Sequence, residues 1–536
     1  MKVVKNHLFF NVVLLLSLCL FVFFSGIGSY GLLDKDEPRY AGTALEIIKN
    51  HNWIVPQFNF ENRFDKPILF YWFIAASYKI FGINDFTSRI PSATCALLCV
   101  LFTWYVSKKA FGSRVALLAG IVLATSIEYV LLGRRAATDM SLCLLLSATM
   151  YSIFLSYFIK DFKIKIFWCI LAGVFSGLSV LTKGPVGILL PFMILTVFLI
   201  FRKQFDVKHL KVYFIIFFFA LIIALPWFIK VHLATNAEFT HVFFFEHNLK
   251  RFTSVVGEHP GPIWFYLPVV LVGFMPWTAF FISSLFVLIR RMLNPRFNKL
   301  LLYSFVWIFT VFLFFSLSTT KLATYILLIL PPMAIVTSYW IYVLSKTNKK
   351  YLYIVFSSLL FIILPAMFYV FKLLKKWNID DSIKVPLLIK ISLCVSLLLF
   401  AMFSFRLFKK AYSFVLFFAV CFSVSFIGVL NSYLPPYYIH THSDLRDFAE
   451  IAKKNNASKI ISFGMYRPSI AYYSGVLVNF DSKKEQKLYL KEQANLMSNI
   501  YIIGHSSDID KNKLLFNNVR IIDKRKKYFV GLVGEK

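Results

Sequence analysis

The sequence predicts a mainly α-helical membrane protein with about 13 transmembrane helices and a small C-terminal α/β domain. Hydrophobic residues make up 59% of the chain, and the mean hydropathy is +0.70. Apolar runs of about 20 residues, long enough to cross a bilayer, recur along it. The net charge of +32 does not indicate nucleic acid here. Lys and Arg gather in short segments between apolar runs, as orientation signals do, where some of them can also meet anionic lipid headgroups.

The apolar runs predict thirteen spans, of which the first follows the basic start MKVVKNH. That run is too long for a signal peptide and no cleavage site follows it, so we expect it to be retained. The spans lie near 8–29, 87–106, 114–132, 138–159, 166–181, 185–201, 212–231, 262–289, 300–317, 322–345, 352–371, 385–405 and 412–433. Residues 67–82 are apolar but short and begin at a proline, which predicts an interfacial or re-entrant helix in the first outer loop.

The distribution of Lys and Arg predicts the orientation. If the N-terminus is cytoplasmic, the seven cytoplasmic segments hold 22 Lys and Arg but only Asp161 and Asp206 as acids. The first loop, the loop 232–261 and everything after 433 then lie outside, whereas the link 372–384, with four lysines, fits this orientation poorly. All seven cysteines fall inside predicted spans, so we expect no disulfide.

The C-terminal segment differs in pattern from the rest. After residue 433 the apolar runs shorten to strand length and alternate with helical patterns, which predicts a transmembrane domain over 1–433 and an outer α/β domain over 434–536. The predicted strands are 459–464, 475–480, 499–504, 519–523 and 528–533, and the predicted helices are 443–455 and 483–493. No nucleotide-binding motif occurs there, and we favour a capping or docking role over a catalytic one.

Ionisable residues at a membrane boundary are costly, so they indicate a functional site. On the predicted outer face they are Asp34, Asp36, Glu37, Arg39, Asp65, Lys66, Arg134, Arg135, Asp139, Lys183, Arg251 and Lys321, with Tyr40 and Tyr325 beside them. Arg and Lys suit phosphate oxygens, whereas carboxylates can bind sugar hydroxyls or an amine, act as bases or hold a metal. A lipid that carries a phosphate and a sugar fits both sets.

Each of these residues also has a purely structural interpretation. Asp36 and Lys66 could form an ion pair, Arg134 and Arg135 could anchor headgroups, and Lys183 could cap a helix. Tyr325 could be an ordinary interface tyrosine. The loop histidines 232, 241, 247 and 259 suggest a metal, but most loop histidines bind none.

Several short motifs occur in order along the chain. They are Asp36-Glu37-Pro38-Arg39-Tyr40-Ala41, Asp65-Lys66-Pro67, Asp139-Met140, 181–187 (LTKGPVG), His247-Asn248, Arg251-Phe252, 259–266 and 321–327 (KLATYIL). Together they resemble the GT-C polyprenyl-phosphate-sugar glycosyltransferases. Their order and the thirteen-span frame match the family over roughly residues 8–433. The chain is most similar to the branch that transfers 4-amino-4-deoxy-L-arabinose to lipid A, with the protein O-mannosyltransferases as wider relatives.

The resemblance implies roles for individual residues. It implies catalytic roles for Asp36, Glu37 and Asp139, and donor-phosphate contacts for Arg39, Tyr40, Lys66, Tyr325 and Arg251. It implies no certain cofactor, although His259 and Asp65 could hold a divalent ion. The chain departs from the family where Ile68 follows Asp65-Lys66-Pro67 and where Arg63 replaces an aromatic residue, which affects the metal site and the sugar fit.

The predicted function is therefore the transfer of a sugar, an amino sugar by the resemblance, from undecaprenyl phosphate to lipid A. We expect a monomer in the bacterial inner membrane, with a cytoplasmic N-terminus and a periplasmic active site and C-terminus. The alternatives are transfer of a hexose to protein hydroxyls or another glycan, and transport of a lipid-linked sugar. Transport is disfavoured because the sequence contains no inverted repeat.

Overall fold

The computed structural model describes residues 2–204, 206, 208–250, 260–291, 298–347, 411–493, 499–512 and 516–534. The chain divides into two compact units. The first, here the membrane unit, consists of Met1–Ile27, Phe64–Leu69 and Ile90–Ser432. The second, here the sheet unit, consists of Gly28–Arg63, Phe70–Arg89 and Tyr433–Lys536. The C-terminal segment and most of the first outer loop thus belong to one compact unit, whereas the segment with Lys66 belongs to the other. A division of the chain at 433/434 remains our proposal.

Helices dominate both units. In chain order they are α1 (Lys2–Phe24), α2 (Asp36–Asn50), α3 (Leu69–Phe81), α4 (Asp85–Phe111), α5 (Ser113–Ala124), α6 (Ile127–Gly133), α7 (Thr138–Phe158), α8 (Phe162–Lys183), α9 (Val186–Phe201), α10 (Lys208–Ala234), α11 (Glu238–His241), α12 (Tyr266–Gly273), α13 (Thr278–Arg291), α14 (Lys299–Leu317), α15 (Leu330–Thr347), α16 (Ala411–Thr441), α17 (Ser443–Lys454), α18 (Pro468–Ser474), α19 (Lys483–Gln493) and α20 (Ser506–Lys511). A π-helical turn covers Val242–Leu249 and a 3-10 turn covers Ala323–Ile329.

Each predicted span that falls on described residues corresponds to a helix or a bent helix pair. By length and composition, seven helices of the described part can cross a membrane alone, and two bent pairs raise that number to nine. The bends are 66° between α5 and α6 and 116° between α12 and α13. Helix α9 and the apolar part of α1 are shorter, and the predicted interfacial segment forms α3. The predicted spans 352–371 and 385–405 lie outside the described residues.

Local sequence explains several helix ends. Asp161 accepts a hydrogen bond from the Ile164 N–H at 3.0 Å and caps the start of α8. Asn298 caps α14 in the same way through the Leu300 and Leu301 N–H groups. Helix α8 packs closely on α10 because Gly173 and Gly177 lie one turn apart, and a methyl group on either would lie within 2.8 Å of a backbone oxygen of α10. These contacts fix the C-terminal half of α8, which ends at Lys183.

The sheet unit contains a mixed five-stranded sheet. Its strands are β3 (Lys459–Phe463), β4 (Val478–Asn479), β5 (Ile500–His505), β6 (Val519–Lys524) and β7 (Tyr528–Val533), and β1 (Gln57–Phe58) and β2 (Glu61–Asn62) form a separate hairpin. The strand order is β4-β3-β5-β7-β6, parallel from β4 to β5 and antiparallel beyond. The predicted alternation of strands and helices is confirmed, with α17 and α19 where the sequence predicts helices.

The hairpin of the first loop covers the edge of this sheet that β4 forms. The Asn59 side chain donates to the Val478 carbonyl at 2.8 Å and accepts from the Val478 N–H at 2.7 Å. One side-chain amide thus replaces the neighbouring strand that β4 lacks.

Candidate functional site

An ion pair between two helix ends forms the centre of the candidate site in the membrane unit. Asp139 lies in the first turn of α7, and Lys183 is the last residue of α8, so each charge is favoured by the helix end that holds it. The Lys183 Nζ lies 2.7 Å from Asp139 Oδ1, and the side chains are 16% and 15% exposed. Within the described residues, Lys183 donates only this hydrogen bond. An ammonium group has three N–H donors, so two remain for a ligand.

A cavity of about 460 Å³ opens beside this pair. Its polar lining comes from Asp65, Lys66, Asp139, Lys183, His247, Ser318, Thr324 and Tyr325, and its apolar lining from Leu142, Pro185, Val186, Leu189, Phe243, Phe244, Leu249, Phe314, Phe315 and Leu328. A site with apolar walls and a few convergent polar groups is typical of ligand cavities. This one presents two lysines within a mainly hydrocarbon surface, which suits an amphiphile with an anionic group.

Lys66 and Tyr325 reach the same cavity from different parts of the chain. The Lys66 ammonium donates to the Asp65 carbonyl at 2.7 Å, and most of its side chain is buried. Tyr325 stands in the 3-10 turn, and the Lys183 Nζ lies 4.8 Å from the centre of its ring. The ring therefore stabilises the cation on one side while the hydroxyl remains available as a donor.

Two other cations predicted on the outer face donate hydrogen bonds to backbone carbonyls of the protein itself. Lys321 is buried and donates to the carbonyls of Phe315, Ser316 and Ser318, at the end of α14. Burial lowers the pKa of Lys321, and the carbonyl bonds use its donors. Arg134 is also buried, and its guanidinium donates to the Val22 and Ser25 carbonyls at 2.8 and 2.6 Å. Both side chains hold helix ends together.

The motif Asp36 to Tyr40 forms the first turn of α2 in the sheet unit. Asp36 is exposed and Arg39 is half-buried, whereas Tyr40 is buried with its ring centre 5.6 Å from that of Phe70. The Arg63 guanidinium lies 5.0 Å from the centre of the Tyr40 ring. The arginine that departs from the family pattern therefore packs against the motif tyrosine.

Glu37 has a different environment from Asp36. Arg89 Nε and Nη2 donate to its two carboxylate oxygens at 2.9 and 2.7 Å, and the side chains are 0% and 1% exposed. Arg89 also donates to the Tyr30 and Gly31 carbonyls, and the Leu33 N–H donates to Glu37. This fork-to-fork pair holds the loop before α2 against the start of α4, which belongs to the same unit.

The structure thus distributes the predicted site residues over both units. Asp65, Lys66, Asp139 and Tyr325 line one cavity in the membrane unit, and Asp36, Glu37, Arg39 and Tyr40 share one helix in the sheet unit. Arg251 and His259 lie outside the described residues. Among the described residues, no group of three or more His, Cys, Asp or Glu side chains is arranged to hold a metal ion.

Sequence reasoning missed two ionisable residues in apolar helices, Arg89 and Glu128. Glu128, in α6, is 8% exposed, and in the described part of the chain its carboxylate oxygens have no hydrogen-bond partner. The available signal was simple, because each charge interrupts an apolar run predicted to span the membrane.

Comparison with known proteins adds relatives of named activity. Residues 65–229 match the family described as dolichyl-phosphate-mannose-protein mannosyltransferase. An undecaprenyl phosphate-alpha-4-amino-4-deoxy-L-arabinose arabinosyl transferase of Shewanella sediminis is 31% identical over 65% of this chain and 64% of its own length. The protein of the same name from Aeromonas salmonicida is 29% identical over 60% of this chain and 58% of its own. The chain therefore spans less than two thirds of the length of these relatives.

The fold comparison covers more of the chain. The crystal structure of ArnT from Cupriavidus metallidurans bound to undecaprenyl phosphate superposes with a TM-score of 0.83, at 19% identity, over 97% of both chains. This likeness shows that the two proteins share a fold across both units.

Proposed function

We propose that this chain, which belongs to the GT-C family of polyprenyl-phosphate-sugar glycosyltransferases, transfers an amino sugar from undecaprenyl phosphate to lipid A. The observation that supports this most directly is the cavity of the membrane unit, where Lys66 and Lys183 project among aromatic and aliphatic walls. The names of the relatives supply the sugar and the carrier. The resemblance supplies lipid A as the acceptor.

In this proposal the cavity binds the phosphate end of the donor. Lys183 contributes its two remaining N–H donors, and Lys66 adds a second positive charge. Tyr325 donates its hydroxyl to a phosphate oxygen, and Asp139 fixes the direction of Lys183. The apolar side chains of the cavity wall contact the first isoprene units. Arg39, Tyr40 and Arg251 keep the donor-phosphate role that the resemblance implies.

The proposed reaction is a single displacement that inverts the anomeric carbon. An acceptor oxygen forms the new bond to that carbon while the bond to the phosphate oxygen breaks. The bonding electron pair leaves with the phosphate oxygen, whose charge the lysines stabilise. Preorganised charges of this kind usually supply the largest catalytic contribution.

The acceptor decides whether a base is needed. A lipid A phosphate is already anionic, so it requires positioning rather than deprotonation, and Asp36 then binds a hydroxyl or the amine of the transferred sugar. A protein or sugar hydroxyl must lose a proton, and the exposed Asp36 is then the proposed base, with Glu37 beside it. The match to a protein mannosyltransferase family supports hydroxyl acceptors as the alternative. We also propose a monomer in the bacterial inner membrane, with a periplasmic site and C-terminus.

Mass spectrometry of lipid A tests the proposal. Lipid A is compared between cells with the gene, cells without it, and cells that express Asp36→Ala or Lys66→Ala at matched levels. We expect a sugar-sized mass only with the wild type and with the control Lys109→Ala, since Lys109 is an exposed residue outside this cavity. Unchanged lipid A in the deletion strain would exclude this acceptor and redirect the search to glycoproteins and other glycans.

The divalent ion is tested separately. His259 and Asp65 remain the proposed ligands, and the purified protein is assayed with EDTA and then with Mg²⁺ or Mn²⁺ restored. Transfer that EDTA abolishes and Mg²⁺ or Mn²⁺ restores, and that the His259→Ala protein does not regain with the ion, would support this site. Full activity in EDTA would exclude it.

A further inference from the structure

The C-terminal helix α18 contacts the start of the first outer loop through two side chains of the sheet unit. The Ser469 N–H and hydroxyl donate to the two carboxylate oxygens of Asp34 at 2.9 and 2.6 Å. Burial raises the pKa of Asp34, and the hydrogen bonds from Ser469 partly offset this rise. Asp34 thereby caps α18 from a position more than 400 residues earlier in the chain.

Tyr473, four residues further along α18, holds Leu32. Its hydroxyl accepts from the Leu32 N–H at 2.8 Å and donates to Asp85 at 3.0 Å. Asp85 also accepts from Arg446 of α17 at 3.1 Å, and the Arg446 guanidinium lies 4.7 Å from the centre of the Tyr473 ring. The tyrosine is therefore itself fixed from two directions.

Three consecutive loop residues are anchored by hydrogen bonds, two of them through α18. Leu32 is held by Tyr473 and Asp34 by Ser469, both of α18, while the Leu33 N–H donates to Glu37 at 2.8 Å. Asp36, the exposed first residue of α2, follows two positions later. Its location therefore depends on contacts made by the C-terminal segment together with the Glu37–Arg89 pair of the next residue.

We infer that α18 is a positioning element for Asp36, and that Ser469 and Tyr473 are positioning residues for sugar transfer. The catalytic part of this inference rests on the proposed function. A shift of about 1 Å in a reacting group can reduce a rate about 100-fold. Loss of either anchor is therefore expected to lower kcat between about 10- and 100-fold. The donor KM should change less, because Lys66 and Lys183 are untouched and, of the proposed donor contacts, only Arg39 and Tyr40 share α2 with Asp36.

The first test measures the loop without using activity. Hydrogen–deuterium exchange is followed on the full-length protein in detergent for the wild type, Ser469→Ala and Tyr473→Phe. The matched controls are Ser458→Ala, whose hydroxyl bonds only within the C-terminal segment, and Tyr489→Phe, whose ring contacts Lys459. We expect exchange in residues 29–40 to be faster in the two anchor variants than in the wild type, and unchanged in the two controls. Unchanged exchange in that peptide would overturn the inference.

The second test measures transfer. We expect Ser469→Thr, which keeps the hydroxyl, to retain activity that Ser469→Ala loses. Asp34→Ala combined with Ser469→Ala should be no slower than either single variant, because both remove the same contact. Equal loss in the Ser458→Ala control, or loss of thermal stability in proportion to loss of activity, would assign these contacts to stability alone and overturn the positioning role. A wild type that transfers no sugar would refute the proposed function, whereas the exchange result would still decide whether α18 orders the loop.

Discussion

The pair Glu37–Arg89 in the sheet unit and the pair Asp139–Lys183 in the membrane unit are both closed at 2.7 Å, yet their surroundings differ. Glu37 and Arg89 are sealed from solvent, and two parallel hydrogen bonds join them. Asp139 and Lys183 share one hydrogen bond and border a cavity. The first pair directs its donors to the protein, and the second retains donors for a ligand. Burial and unused donors therefore separate a structural pair from a candidate functional one.

The largest expected effect is on the sealed pair. Arg89→Ala leaves the Glu37 carboxylate buried without its cation and should destabilise the fold by about 3–5 kcal/mol. A thermal unfolding midpoint in detergent measures this, with the exposed Lys79→Ala as the control. An Arg89→Ala protein with the wild-type midpoint would remove the structural half of the comparison.

The partly exposed pair should respond in activity instead. Lys183→Ala removes a cation from the cavity and should slow sugar transfer about 100-fold, as does loss of one preorganised donor elsewhere. Its control is Lys321→Met. The hydrogen bonds of Lys321 in the described structure all go to backbone carbonyls, so this replacement should lower stability and leave transfer nearly unchanged. A reversed result, with Lys321 essential for transfer and Lys183 not, would refute this assignment of the two lysines.

A smaller effect is expected from pH, through His442 in the sheet unit. Burial, and then the charge of Arg467, lower the pKa of His442 from 6.5 to about 4. The unfolded chain therefore binds a proton below pH 6.5 that the native state does not. Stability should be full above pH 6.5 and fall toward pH 4, by about 2 kcal/mol between pH 7 and pH 5.

Replacement of this histidine tests the sign. His442→Phe keeps a ring to stack on Tyr438, whose centre lies 5.6 Å away. The variant should lose less stability between pH 7 and pH 5 than the wild type or the His505→Phe control. An unfolding midpoint that depends on pH equally in all three would exclude His442 as the cause.

The smallest effect is expected at Tyr325. Tyr325→Phe keeps the ring beside Lys183 and removes only the hydroxyl, which should slow transfer about 10-fold, the lower end of what one hydrogen bond to a charged group contributes. Tyr325→Leu also removes the ring and should be slower by a further few-fold, because the cation loses its aromatic neighbour. Transfer rates at saturating donor measure both. Equal rates for the two variants would show that the ring does not contribute.

Sequence reasoning succeeded where a local pattern sets the structure. Apolar runs predict the described helices, and short alternating runs predict the strands of the C-terminal sheet. The motif residues Asp65, Lys66, Asp139 and Tyr325 were each placed on the outer face, and the structure gathers them around one cavity.

It failed where the partner is distant in the chain. Lys183 and Lys321 look alike in sequence, since each is a lysine at the end of an apolar run. Only the fold shows that Lys321 turns to the carbonyls of α14 while Lys183 faces Asp139. Glu37 likewise gives no local sign that its cation stands 52 positions away in α4. Propensity describes neighbours along the chain, whereas these pairings are set by tertiary contacts.

The Asn59 amide that completes strand β4 also bears on how this protein can be cut into fragments. A fragment of residues 434–536 alone would lack Asn59 and would present the Val478 N–H and carbonyl unpaired at a sheet edge. Unprotected edges recruit other strands, so such a fragment should self-associate. During translation the hairpin residues are synthesised long before the C-terminal sheet. Asn59 is therefore already present when strand β4 emerges from the ribosome.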